Sequence, residues 1–223
     1  MTKTVEITLY QYDELNDKAK EKARENYITN WMSDDWHECT IEYMKEEGLR
    51  YGFNIKDIRY SGFWSQGDGA SWCGAVNVRE WVDKTFNSTD KEHPLTQIFL
   101  ALIDEGWVTE QVLVSFDSSR YCHENTMDFT CIKHYYGIDD DSVMERGMLK
   151  GASVADLVAI VDPIGGGGVL DSMHDRLVKD CKAFARTIYR ELEADYDASV
   201  EDENIAANYA ANDVWFDETG RMA

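Results

Sequence analysis

The side chains best suited to chemistry in this 223-residue sequence gather in two short runs. The first extends from Tyr60 to Gly74 and reads Tyr-Ser-Gly-Phe-Trp-Ser-Gln-Gly-Asp-Gly-Ala-Ser-Trp-Cys-Gly, setting Trp64, Ser65, Gln66 and Asp68 among four glycines. The second starts at Arg120 and brings His123 and Glu124. Aromatic rings beside short polar groups can stack on a ligand or partner and orient it. Trp64, Ser65, Gln66, Asp68, Arg120, His123 and Glu124 are therefore the candidate binding set. Structure alone would also use these types: Arg120 can pair with Asp68 or Glu124, and the rings can belong to a core hairpin.

Catalytic and metal readings of the same residues are weaker. Ser65, Ser71, Asp68 and His123 are the types of a Ser–His–Asp set, but their spacing does not require one and no G-x-S-x-G elbow is present. His123-Glu124-Asn125-Thr126-Met127 begins like a zinc-protease motif, yet Met127 stands where the second histidine belongs. Cys122, His123, Cys131 and His134 have zinc-compatible types. On a strand, however, neighbours 122 and 123 point to opposite faces. Gly165–Gly168 lies between an apolar run and a helix without the residues of a phosphate loop, and reads as a connector. No catalytic residue, metal or cofactor is assigned; the chain reads as a binder, with an enzyme left open.

The elements that must position these residues follow from periodicity. Residues 3–10 alternate like a strand. Asn16 caps a helix to about Trp31 with the stripe Ala19, Ala23, Tyr27 and Trp31. A second helix runs from about Trp36 to Arg50, with Cys39, Tyr43 and Met44 inward and a stop near Gly48 or Gly52. Phe53 to Tyr60 and Ala70 to Val78 flank a tight glycine turn. Phe63 and Trp72 are expected in the core. Helices follow over Glu80–Phe86 and from Pro94 to Gly106, then strands over Glu110–Phe116 and Met127–Tyr135. Asn87–His93 reads as a polar loop, Asp139–Asp141 as a solvated acidic loop, and Ser153–Val161 as a helix. The longest periodic stripe is Leu170, Met173, Leu177, Cys181, Phe184, Ile188, Leu192 and Tyr196, a helix ~40 Å long. Ser199 is placed as the cap of a last helix, Val200–Asn212. The expected fold class is α+β: a small, mainly antiparallel sheet with helices packed on it and a long C-terminal helix. Residues 1–136 form the core with the aromatic hairpin, and 137–223 a mainly helical part packed on it.

Composition bounds the partners. Forty-three acids against 22 bases give a net charge of −21, a field that repels nucleic acid and anionic membrane and favours basic partners. The same charge also serves plain solubility. No apolar run reaches the ~18 residues of a membrane span, and the N-terminus has no signal-peptide h-region, so a cytoplasmic location is expected. The five cysteines, 39, 73, 122, 131 and 181, are scattered and read as reduced thiols.

Five segments resemble a group of bacteriophage-encoded proteins that carry the label "antitoxin of toxin–antitoxin stability system". They are Tyr12-Asp13-Glu14-Leu15, the Ser61–Ala70 run, Tyr121-Cys122-His123-Glu124 with Thr126-Met127, Ile188-Tyr189-Arg190 with Leu192-Glu193 and Tyr196, and Asp217-Glu218-Thr219-Gly220-Arg221. The resemblance implies a phage accessory protein acting in the infected host cell and no defined reaction. The expected function is accordingly to bind and neutralise a host protein with a basic surface, such as a nuclease, defence effector or toxin, through an acidic surface anchored by aromatics. The alternative is a small-molecule or nucleotide site, sponge or enzyme, around Trp64, Asp68, Arg120 and His123.

Overall fold

A computed structural model describes residues 7–32, 35–86, 94–133 and 169–223. Six α-helices lie among them: α1 Asp17–Asn26, α2 Glu38–Leu49, α3 Val78–Phe86, α4 Pro94–Asp104, α5 Val169–Ser199 and α6 Asp202–Ala211. Strands β1 Phe53–Tyr60, β2 Ala70–Asn77, β3 Gln111–Phe116 and β4 Met127–Phe129 form one antiparallel sheet in the order β1-β2-β3-β4. The class is α+β. Two compact units divide the chain, one of Met1–Thr40 with Glu191–Ala223 and the other of Ile41–Arg190. The expected boundary after residue 136 falls outside the described residues.

The sheet unit is built on alternation. Ile58 faces Trp72 across β1 and β2, and Phe53 faces Val76. Phe53, Ile55, Ile58, Trp72, Val76, Val112 and Val114 are all buried. The apolar stripe of α5 is buried too, from Leu170 through Met173, Leu177, Cys181, Phe184 and Ile188. The indole of Trp72 donates its N–H to the Cys181 carbonyl (3.3 Å), and Phe53 meets Phe184 edge-on at 5.4 Å. A buried indole needs such an acceptor, because an orphaned N–H in the core costs about 1–3 kcal/mol. Trp81 of α3 donates to Asp180 (3.2 Å), a further tie to α5.

The smaller unit closes around Tyr209. Its ring contacts Tyr12, Tyr27, Trp31 and Phe216 at centroid distances of 5.8, 5.4, 5.4 and 4.9 Å, and its hydroxyl donates to the Ala23 carbonyl (3.0 Å). Asn16 caps α1 as expected, accepting from the Ala19 N–H (3.1 Å). The helix widens into a π-turn over Tyr27–Trp31. The closing Asp217–Arg221 segment is a self-bound turn. Oδ1 of Asp217 accepts from the Thr219 hydroxyl (2.7 Å), the Thr219 N–H (2.8 Å) and the Arg221 N–H (3.1 Å). Gly220 lies so near α1 that a Cβ there would overlap the Ala19 carbonyl.

Several expectations need correction. Of the strand predicted over residues 3–10, only Tyr10 pairs among the described residues, in a bridge to Phe216, and Ile7 and Leu9 are exposed. Alternation marks a strand-like sequence, but among the described residues only the bridge to Phe216 uses it, and residues 3–6 lie outside the described residues. Cys39 and Tyr43 face outward while Met44 and Gly48 are buried, and Trp31 is left partly exposed. The predicted tight turn after β1 is the longer loop Ser61–Gly69. Val78 starts α3 rather than ending β2, and β4 stops at Phe129, with Lys133 bridging to Val108. Ser199 ends α5, donating to the Asp195 carbonyl (2.8 Å), and Glu201 takes the cap position of α6. The readings of 87–93, 139–141, 153–161, Gly165–Gly168 and His134 lie outside the described residues.

Two predictions follow from this packing. Burial pushes the Cys181 thiol well above its ordinary value, whereas Cys39 and Cys131 are exposed. A thiolate is the reactive species, so mass spectrometry after brief iodoacetamide treatment should find Cys39 and Cys131 alkylated and Cys181 untouched until denaturant is added. Equal native labelling of Cys181 would contradict the α5 packing. At Asp217, the hydrogen bonds from Thr219 first, and from Arg221, hold the carboxyl below its ordinary value of about 3.8. A depressed folded pKa stabilises above the unfolded value and loses that contribution as pH falls through the folded one. The Tm gap between wild type and Asp217→Ala should therefore be full at neutral pH and narrow below about pH 3.8; a gap independent of pH would exclude the charge-assisted turn.

Candidate functional site

The loop between β1 and β2 is held by its own polar groups. Oδ2 of Asp68 accepts the backbone N–H of Ser65 (2.6 Å) and of Trp64 (3.1 Å), while the Asp68 N–H donates to the Ser65 carbonyl (3.1 Å). Hydrogen bonds to an ionised acceptor are roughly twice as strong as neutral ones. They offset the ordering entropy of a loop, about 1–2 kcal/mol per residue. The Ser61 N–H donates to the Gly69 carbonyl (3.0 Å) and closes the loop base. Gly67 turns the chain with φ of +99°, where a side chain would be strained. Gly69 serves a different need: a Cβ there would stand 2.7 Å from the His123 Cβ and 3.0 Å from its Cα. Only hydrogen lets the two segments approach so closely.

That approach brings the second run to the loop. The Ser61 hydroxyl donates to the Cys122 carbonyl (3.4 Å), and Tyr121 Cδ1 is 4.0 Å from where a Gly67 Cβ would stand. Nδ1 of His123 accepts the Asn125 N–H (3.1 Å), so the neutral imidazole carries its proton on Nε2 and presents a donor. The His123 carbonyl accepts from the Thr126 N–H (2.9 Å) and hydroxyl (2.8 Å). The tip is also tied to α5: the Tyr189 hydroxyl donates to the Gly62 carbonyl (3.0 Å), and its ring meets Phe63 at 5.5 Å. Phe63 stacks on Tyr60 at 6.1 Å and is half-buried, not a full core residue as expected. The Tyr60 hydroxyl is pushed up by burial.

The ion pairs open to Arg120, with Asp68 or Glu124, do not form. Asp68 serves the loop backbone, Glu124 pairs with Arg186 of α5 (3.4 Å), and the Arg120 guanidinium lies 5.5 Å from the Tyr121 ring centroid. Neither the Ser65 nor the Ser71 hydroxyl hydrogen-bonds to His123, and Ser71 is buried. Among the described residues no three His, Cys, Asp or Glu side chains gather as a metal set. What the arrangement offers outward is aromatic: Trp64 is 74% exposed and Tyr121 53%, with Ser65, Gln66 and Arg120 exposed beside them.

The family description Domain of unknown function (DUF8835) matches residues 36–202, three-quarters of the chain. The chain belongs to this family. The DUF8835 span takes in the whole sheet, the Ser61–Gly69 loop, the 120–124 segment and all of α5, whereas the Asp217–Arg221 turn lies beyond it. No curated protein and no solved structure matches the chain.

Reading the sequence missed Tyr121 and Tyr189 as neighbours of the loop, and Lys182 and Arg186 as neighbours of the Glu124–Asn125 segment. Tyr189 and Arg186 sit on the polar side of the α5 periodicity, which reads as a solvated face until the loop is seen against it.

Replacing Gly69 by alanine tests the close approach. Gly69→Ala should lower stability by about 1–3 kcal/mol, as overpacking does, whereas Gly106→Ala meets no neighbour within 4 Å and is strained only by its φ of +74°. Chemical denaturation measures both; an unperturbed Gly69→Ala would mean the 122–123 segment does not lean on the loop.

Proposed function

We propose that the chain is a phage accessory protein that acts by binding: it captures and neutralises a host factor, a defence or toxin protein, on the Trp64 surface. The single observation behind this reading is the division of labour in the loop. Its carboxylate, its glycines and its serine hold the backbone, and Trp64, the largest side chain, plays little part in burial at 74% exposed. An exposed indole on an ordered loop is the profile of an interface anchor, since little entropy is left to lose when it is covered. The resemblance of the Ser61–Ala70 run to phage proteins supplies the biological setting.

Charge supports capture by a second route. The smaller unit holds nineteen acids and six bases, a net −13 of the whole chain's −21. Such a field speeds encounter with a basic protein and is screened by salt. Cytoplasmic action in the infected cell belongs to the same proposal; no described helix is long and apolar enough to cross a membrane.

The nucleotide-site alternative is favoured by a separate observation, the bases Arg120, Lys182 and Arg186 on and against the 120–125 segment that meets the loop. An enzyme at this place has less support, because Asp68 and His123 Nδ1 are both engaged by backbone N–H groups.

Pull-down from infected host lysate with wild type and Trp64→Ala tests the capture reading. A host protein retained by wild type should be lost, or weakened by roughly 2 kcal/mol or more as for an interface hot spot, with Trp64→Ala, while the Trp215→Ala control keeps it. Identical partners for all three would clear the loop of this role.

A further inference from the structure

The bases of the sheet unit are concentrated. On α5, Arg176, Lys179, Lys182, Arg186 and Arg190 recur at steps of three and four, along one side of the helix. Asp180 is the only acid between residues 176 and 190, and from Glu191 to Glu203 there are seven acids and no base. Arg176 is taken up by Asp180 (3.0 Å). Two of the last three bases on this side meet the Glu124–Asn125 segment, and the third adjoins the residue of α5 that meets the loop. Lys182 donates to the Asn125 amide oxygen (3.2 Å) and Arg186 to Glu124 (3.4 Å). Arg190 follows Tyr189, the residue bound to Gly62, and donates only to neutral oxygens, the Arg186 carbonyl (3.4 Å) and the Thr187 hydroxyl (3.1 Å).

A strongly acidic chain thus collects cations on α5 and on the 120–125 segment, the two elements that meet the loop carrying its most exposed tryptophan. Arg120 adds a fourth, over Tyr121. Of the nearby carboxylates, Asp68 is spent on two backbone N–H groups and Glu124 on Arg186. A ligand suited to this surface has a flat face for the indole and an anionic group for the guanidinium forks, which match phosphate oxygens in pairs.

We propose that the Trp64 surface binds a nucleotide, with its base stacked on the indole of Trp64 and its phosphates held by Lys182 and Arg190, which flank the Arg186–Glu124 pair. The proposal rests on the reading of the loop as a binding surface and adds a small anionic ligand to the host protein as an occupant of it. The ligand is a free nucleotide and not a nucleic-acid strand, for an electrostatic reason. Screening at physiological salt acts over about 8 Å, so two or three phosphates respond to the cations beside them. A long polyanion extends past that patch into the field of a chain with net charge −21.

The test uses the purified full chain with ATP, GTP, adenosine, tripolyphosphate and an oligo-deoxyadenylate, followed by calorimetry and by quenching of indole fluorescence. ATP or GTP should bind and quench, more tightly than adenosine, tripolyphosphate or the oligomer. Trp64→Ala should weaken the nucleotide about tenfold, the size of one lost base stack. Arg190→Gln and Arg190→Glu should weaken it progressively while leaving Tm unchanged, and raising salt from about 50 to about 300 mM should weaken the wild type further. The proposal is overturned if neither nucleotide binds, if binding is indifferent to Trp64 and Arg190, or if the oligomer binds more tightly than the nucleotide. Should nucleotides fail while Trp64→Ala still abolishes capture of a host protein, only this inference falls; if Trp64→Ala changes neither, the binding reading falls with it.

Discussion

The seam between the sheet and α5 governs everything in the larger unit. Trp72, fully buried at the middle of β2, gives its N–H to the Cys181 carbonyl and stacks on Phe53, which in turn meets Phe184. Fully burying side chains of this size is worth about 1.5–3 kcal/mol each from area alone, so a few such contacts rival the net stability of a domain, roughly 5–15 kcal/mol. The same helix, two turns beyond Cys181, brings Tyr189 to the Gly62 carbonyl and Arg186 to Glu124. Core packing and loop placement are therefore one event: a helix seated on the sheet also delivers the groups that steady the loop.

Seen this way, the Ser61–Gly69 loop has two kinds of residue. Asp68, Gly67, Gly69 and Ser61 answer to the backbone, through N–H groups caught by one carboxylate, a left-handed turn and a contact too close for a side chain. Trp64, Gln66 and, from the neighbouring segment, Tyr121 and Arg120 face solvent. The charges follow a similar partition along the chain, with bases collected on α5 up to Arg190 and acids collected from Glu191 onward. An overall net charge conceals both.

Much of the fold was legible because local period and burial agreed. The α5 stripe, the Asn16 cap, β1 and β3 all combine a clear period with strong turn or cap residues. Residues 7–10 misled because alternation states which face an extended segment prefers, not whether a partner strand exists. Cys39 and Tyr43 misled because apolar type does not fix helix phase when the stripe is short. The candidate site was legible in its members and not in its connections. Charge allows Arg120 to pair with Asp68 or Glu124, but two backbone N–H groups three and four residues away reach Asp68 first, and α5 supplies Glu124 with Arg186. A partner 62 residues distant leaves no local signature. The histidine tautomer likewise follows from a backbone N–H that only the folded turn positions.

The central claim is that the Trp64 loop is ordered before any partner arrives, by the Asp68 carboxylate. Amide hydrogen exchange at Trp64 and Ser65, resolved residue by residue in the free protein, addresses it directly. Both amides should be protected in wild type and should exchange far faster in Asp68→Ala, while the β1 and β2 amides keep their protection. Fast exchange at both positions in the wild type, or protection that survives Asp68→Ala, would contradict the account.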